Sequence, residues 1–328
     1  LASGSDTGGS LRNPAAFCGI VGYRPTPGLV PSEKRGMGWS CLPVLGPMAR
    51  NVPDVALMLS VMAADDSFDP LAAPIDPGAF YPLPEVDPGT LRVAITEDFG
   101  FCPTSQEVRG LFRDRIGKIR HLFGTVSEAT PDMEGADDAF AVLRAEGMLA
   151  KHMPAYRTKR HVLGPNIIAN VEEGLKYTLE DRARAHVAQT AIGRRFTAFF
   201  KDFDLIITPG MTVQPRPWTE LAPTEVDGVK LSSYYHWLAL PYAVTLAGHP
   251  AIILPCGLDA NGLPFGLQIV GKRRGDAALL AAAAAIERAT ARIQGCARPL
   301  PDLEGLAKAP PIHTLPGADM LAHVGRAA

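Results

Sequence analysis

Gly4-Ser5-Asp6-Thr7-Gly8-Gly9-Ser10-Leu11-Arg12-Asn13-Pro14-Ala15 opens a glycine-rich stretch that runs on to Pro31 as GSDTGGSLRNPAAFCGIVGYRPTPGLVP. Two glycines stand directly before a serine. Lacking a Cβ, they let the chain take φ > 0 and turn tightly. Such a turn can aim several backbone N–H groups at one point beside the Ser10 hydroxyl. Acyl transfer needs that combination, a nucleophile with donors around the developing oxyanion. Asp6 and Arg12 flank the turn, and Asn13-Pro14-Ala15 reads as a helix start. A bare Gly-Gly-Ser, however, is far more often a loop than a site. The Gly-x-Ser-x-Gly elbow is absent, because Leu11 and Arg12 follow Ser10. Gly4 to Gly9 is not G-x-G-x-x-G, and no strand is predicted ahead of it, which argues against a dinucleotide site.

Working outward, the chain alternates helical and strand patterns. Leu42 to Met48 reads as a loop or short strand. Pro53 to Ala64 carries apolar residues at helical spacing (Val55, Leu57, Met58, Val61, Met62), with Asn51 placed to cap it. Leu91 to Thr96 is a short buried strand, Gln106 to Phe123 an amphipathic helix, and Val126 starts another strand. These complete a β-α-β unit and so a parallel pair. Asp137 to Met148 and Ile167 to Phe200 read as helices. Asp204 to Thr208, Ala251 to Pro255 and Phe265 to Val270 read as strands, the last two joined by the turn Asp259-Ala260-Asn261-Gly262. Asp276 is placed to cap a final helix through Arg288. Alternating strands and helices imply a largely parallel sheet covered on both faces. The tail, residues 300–328, shows no period and is expected to lie on the surface.

Composition narrows the function classes. In 328 residues the hydrophobic share is 47% and the charged share 20%, enough for a real core. Net charge is −2, so no basic excess recommends nucleic acid or an anionic membrane. The longest apolar run, near Leu279 to Ile286, is too short to span a bilayer. Cys18, Cys41, Cys102, Cys256 and Cys296 show neither metal spacing nor a disulfide framework, which fits a reducing cytoplasm and small buried hydrophobes. No metal and no cofactor is expected. The expected partner is a small-molecule amide, and a homodimer is left open.

The long string resembles the amidase signature family of serine hydrolases, whose pattern has the form G-[ST]-D-x-G-G-S-[LIVM]-R-x-P-A. Gly4, Ser5, Asp6, Gly8, Gly9, Ser10, Leu11, Arg12, Pro14 and Ala15 all fit. The likeness continues through Cys18-Gly19-Ile20-Val21-Gly22, Arg24-Pro25-Thr26, Gly46-Pro47-Met48-Ala49-Arg50 and the segments from Gly248 and Gly262. It implies an α/β fold with a mixed, largely parallel sheet between helical layers, spanning residues 1–328 as a single domain. It implies hydrolysis of an amide to a carboxylate and ammonia or amine through a serine acyl-enzyme. Ser10 would be the nucleophile, and the N–H groups of Thr7, Gly8, Gly9 and Ser10 the oxyanion hole. Ser5, Asp6 and Arg12 would support the loop. The shuttle serine and base lysine of the family's Ser–Ser–Lys triad lie N-terminal to this motif, and no residue here takes either place. The sequence thus reads as lacking its N-terminal part and as inactive alone.

Two alternatives within this reading are a component of a tRNA-dependent amidotransferase and a non-catalytic remnant of the fold. Against the first, Gly36-Met37-Gly38-Trp39-Ser40-Cys41-Leu42-Pro43 stands where those amidotransferases carry an F-A-S-S-L-D-Q-like run. Among eight histidines, His249 in the Gly-His-Pro-Ala turn reads as a structural hydrogen-bonder and as the first substitute base to test. Candidate pocket walls are Met37 to Leu45, Asp137 to Met148 and Thr208 to Trp218, with Trp39, Met148, Met211 and Trp218 as apolar lining.

Overall fold

The structure is a computed structural model that describes residues 1–217, 219–220 and 222–316. Eight strands form one sheet: β1 (Ala2–Asp6), β2 (Val21–Arg24), β3 (Val44–Ala49), β4 (Arg92–Ile95), β5 (Thr125–Glu128), β6 (Leu205–Pro209), and the long pair β9 (Ala251–Leu258) and β10 (Pro264–Val270). Their order is β1-β3-β2-β9-β10-β6-β4-β5. The short strands β7 (Glu225–Val226) and β8 (Val229–Lys230) make a separate hairpin. The sheet is mixed, but the expected weighting toward parallel pairs is reversed. Only β4 with β5 and β4 with β6 run parallel, while the other five pairings are antiparallel. The reason lies in the connections. β9 and β10 join through a tight turn at Asp259, which forces antiparallel pairing. The crossover helix α3 (Gln106–Ile119) returns β5 parallel to β4.

Period-two alternation sends successive side chains to opposite faces. On β9, Ile252 and Leu254 enter one core with Val21, Tyr23 and Leu267, packed by α2 (Val52–Met62), α3 and α8 (Asp276–Thr290). Ile253 points the other way, onto α1 (Arg12–Cys18) through Ala15 and Ala16. On that second face Ala94, Ile206 and Val270 meet α4 (Ala136–Thr158), α6 (Leu179–Phe199) and α7 (Ala239–Ala247). The helix α5 (Pro165–Gly174) packs on α4, and α9 (Leu303–Lys308) is a short exposed turn of helix in the tail. Both faces are therefore covered, as expected.

Several local readings meet their structures. Asn51 caps α2 by accepting from Asp54 N at 2.8 Å. The buried face of α2 is Val52, Val55, Ala56 and Leu59, however, and Leu57 and Val61 point outward. The long helix expected over 167–200 is broken, because Thr178 and Asp181 form a reciprocal capping box that starts α6 afresh. Asp276 does not cap α8. Gly275 holds the N-cap position, and the Asp276 carboxylate instead accepts from Tyr23 and Thr26. A strand, β1, does occupy the start of the glycine stretch. Cys102, Cys256 and Cys296 are buried, whereas Cys18 is exposed.

One close approach sets how α1 sits. A Cβ added at Gly22 of β2 would fall 2.1 Å from the Leu11 carbonyl oxygen and 2.6 Å from Ala15 Cβ. The helix lies directly on the strand backbone, with no room for a side chain between them.

Candidate active site

β1 delivers Asp6 to the interior at its last residue, and the chain then turns through Thr7 to Leu11 before α1 begins. Asp6 is fully buried, as are Arg12 and Arg24. Its carboxylate accepts from Gly9 N at 2.8 Å, Leu11 N at 3.3 Å, Arg12 Nε at 2.9 Å, Arg12 Nη2 at 3.0 Å and Arg24 Nη1 at 3.2 Å. Burial alone would raise the Asp6 pKa, but the two guanidinium groups and these bonds outweigh it and hold it at about 2. For Arg24 burial wins over the pull of Asp6 and lowers the guanidinium to about 10, still charged at neutral pH.

Arg12 has further duties. Its Nη1 donates to the Pro241 carbonyl at 2.6 Å and to Gln268 Oε1 at 2.7 Å, and its Nη2 donates to Thr245 Oγ1 at 2.8 Å. Arg24 ties the Asp6 carbonyl at 2.8 Å to the Leu42 carbonyl at 2.9 Å. The turn is thus anchored to α7, β10 and the segment before β3. A charge this deeply buried persists only when so fully satisfied.

Gly9 sits at φ +127°, a region closed to residues with a Cβ. A Cβ there would also lie 2.3 Å from Asn13 Oδ1 and 2.7 Å from Pro241 Cβ. Arg12 N and Asn13 N both close onto the Gly9 carbonyl, at 2.8 and 2.7 Å, and start α1. Ser10 lies in the turn just ahead of Leu11 and is exposed. Among the described residues no lysine or histidine hydrogen-bonds its hydroxyl.

The expected loop residues therefore do come together, with one correction. The Gly9 N–H, expected among the oxyanion donors, is given to Asp6, while Thr7, Gly8 and Ser10 keep N–H groups that no acceptor among the described residues takes. Ser5 is exposed on β1, opposite Leu45. His249 lies past the far end of α7 from Pro241. Its Nδ1 meets the Gly271 carbonyl at 2.8 Å, and its ring stacks on Phe200. Burial depresses its pKa to about 4.

The pocket walls fare unevenly. Met211 is buried beneath α1 with Ala15, Ala16 and Ile253, and Trp39 is 80% exposed. Met148 is half-buried on α4, and Trp218 lies outside the described residues. Phe140 lies within the expected wall from Asp137 to Met148 but was not singled out there, and its ring would stand 2.8 Å from a Cβ on Gly8. Phe140 stacks on Tyr242 with centroids 4.1 Å apart, and Tyr242 OH donates to Asp137. His236 faces the same carboxylate, Nε2 to Oδ2 at 3.4 Å. Nothing in the local sequence marks Tyr242 or His236, since they come from α7 and the turn just before it and meet Asp137 and Phe140 of α4 only in the fold.

Comparison with known proteins identifies the family. The Amidase family model matches residues 1–280. An acylamidase of Rhodococcus erythropolis is 30% identical over 293 residues, covering 88% of this chain and 61% of the relative. A glutamyl-tRNA(Gln) amidotransferase polypeptide of Thermodesulfovibrio yellowstonii is 30% identical over 317 residues, covering 88% and 63%. The crystal structure of a bacterial aryl acylamidase of the amidase signature family superposes with a TM-score of 0.78 at 24% identity, covering 88% of this chain and 62% of that one. The chain belongs to the amidase family. It spans 61% of the length of the acylamidase it matches.

Proposed function

We propose that the protein hydrolyses a carboxylic amide through a serine acyl-enzyme, with Ser10 as nucleophile. The observation that carries this reading is the contrast within one turn. Asp6 is fully buried and takes five donors, so the backbone around it is held firmly, yet Ser10 in the same turn is open to solvent. Preorganised donors beside an accessible hydroxyl are what acyl transfer requires. The Ser10 oxygen would attack the amide carbonyl. The tetrahedral oxyanion would be met by N–H groups of Thr7, Gly8 and Ser10, each worth about 3–4 kcal/mol by analogy with other oxyanion holes. Collapse would expel ammonia or amine, and water would release the carboxylate. The proton relay is assigned, by resemblance to the family, to a serine and a lysine N-terminal to this motif. The five unpaired thiols favour a reducing compartment such as the cytoplasm.

The test uses Ser10→Ala in the intact protein. A fluorophosphonate probe should label wild type at Ser10 and leave the variant unlabelled. Amide turnover should fall by at least about a thousandfold. Because Ser10 is exposed, stability should change by no more than about 0.5 kcal/mol. Wild-type turnover in the variant would remove Ser10 from the mechanism.

A further inference from the structure

Tyr23 and Arg24 are neighbours on β2 and point to opposite faces of the sheet. Arg24 reaches Asp6 behind Ser10. Tyr23 reaches Asp276 on the other side, OH to Oδ1 at 2.8 Å. Asp276 is 3% exposed. Its other contacts are Thr26 N to Oδ1 at 2.9 Å and Thr26 Oγ1 to Oδ2 at 2.5 Å. Every one of these donors is neutral, and among the described residues no cation pairs with this carboxylate. Burial raises its pKa, and the Thr26 and Tyr23 bonds oppose the rise.

Asp276 also lines a cavity of about 300 Å³. Part of its wall is apolar, formed by Leu29, Leu71, Ile75 and Phe80 under the long connection that follows α2, and part is polar, formed by Thr26 and charged groups. Two further charged groups line it. Asp76 is exposed and occupied in part by Gly78 N, and Arg274 is exposed with φ +61°. Two carboxylates against one guanidinium leave the cavity one negative charge in excess. A small cavity with an apolar patch and a buried carboxyl group in its wall suits a ligand with a cationic end and an apolar body. The carboxylate lost its water on folding, so an incoming cation meets an acceptor that is already desolvated.

We propose that this cavity binds a small primary amine in its ammonium form, with the ammonium on Asp276 and the alkyl or aryl body among Leu29, Leu71, Ile75 and Phe80. The amine is the chemical class that amide hydrolysis releases, but the site lies across the sheet from Ser10 and the inference does not rest on that activity. Arg274 opposes the ligand's charge and weakens binding.

The probe is n-butylammonium chloride, titrated calorimetrically into the intact protein at neutral pH, against sodium chloride of equal ionic strength and against 1-butanol. Saturable binding is expected for the ammonium, with butanol at least about tenfold weaker. Asp276→Asn should abolish it. Ala73→Trp, which fills the cavity and leaves Asp276 in place, should abolish it too. Arg274→Gly, tolerated at a positive φ, should tighten it several-fold. Ser10→Ala should bind as wild type, which separates this site from the hydrolytic one. Equal binding of butanol and butylammonium, or no saturable binding of either, overturns the proposal without recourse to any variant. Wild-type affinity in folded Asp276→Asn overturns it as well.

Discussion

Arg12 grips Asp6 through a fork, Nε to Oδ2 at 2.9 Å and Nη2 to Oδ1 at 3.0 Å, with both side chains withdrawn from solvent. Lysine carries the same charge but offers no planar fork. Arg12→Lys should therefore cost about 1–3 kcal/mol of stability, the penalty for leaving buried hydrogen-bond partners unsatisfied while the charge is kept. Urea unfolding measures this. A midpoint within error of wild type would mean that the fork does not hold the turn.

Gly9 has no room for a side chain. Alanine there must leave φ +127° or collide with Asn13 and Pro241. Gly9→Ala should destabilise by more than about 2 kcal/mol and abolish fluorophosphonate labelling at Ser10. Retained labelling with a normal melt would show that the turn has room to relax.

Gly8 offers a paired test. A methyl group there meets the Phe140 ring, so Gly8→Ala should destabilise, and Phe140→Leu should cost about 1 kcal/mol by itself. Together they should be less harmful than the sum, with a coupling of roughly 0.5–3 kcal/mol. Strict additivity in the double-mutant cycle would deny the contact.

His249 makes a pH prediction. Its folded pKa is depressed to about 4 by burial, against 6.5 ordinarily. Folding thus favours the neutral ring. That contribution is whole above pH 6.5 and is lost as pH falls through about 4. Within this window the group should cost about 1.4 kcal/mol of stability per pH unit. His249→Phe, which keeps the stack on Phe200, should flatten the slope between these limits. An unchanged slope would place the ring's titration elsewhere.

What was legible in the sequence was local. Asn51 and the helix it caps, the β4-α3-β5 unit and the Asp259 turn depend on residues close in the chain. The Thr178 capping box is equally local and was legible, although the apolar pattern ran over it. α7 was missed for a physical reason: all nine of its residues are buried, so no polar face marks a helical period. Asp276 shows the opposite failure. Its place at a helix start was readable, but its partners Tyr23 and Thr26 lie about 250 positions away. The support of Asp6 divides the same way. Arg12 stood six residues off and was anticipated, whereas Arg24, Thr245, Pro241 and Gln268 converge from separate elements.

The contact between α1 and β2 at Gly22 bears on how such a site can diversify. Most helices ride on a cushion of side chains, and exchanging a large residue for a small one lets them sink or tilt. Here backbone rests on backbone, so no such adjustment exists beneath Ser10. Ser10, just ahead of α1, shares that fixed seat. Any change in the space around Ser10 has to come from the surrounding walls, such as Phe140 on α4 and the segment around His236, while the serine stays where the strand puts it.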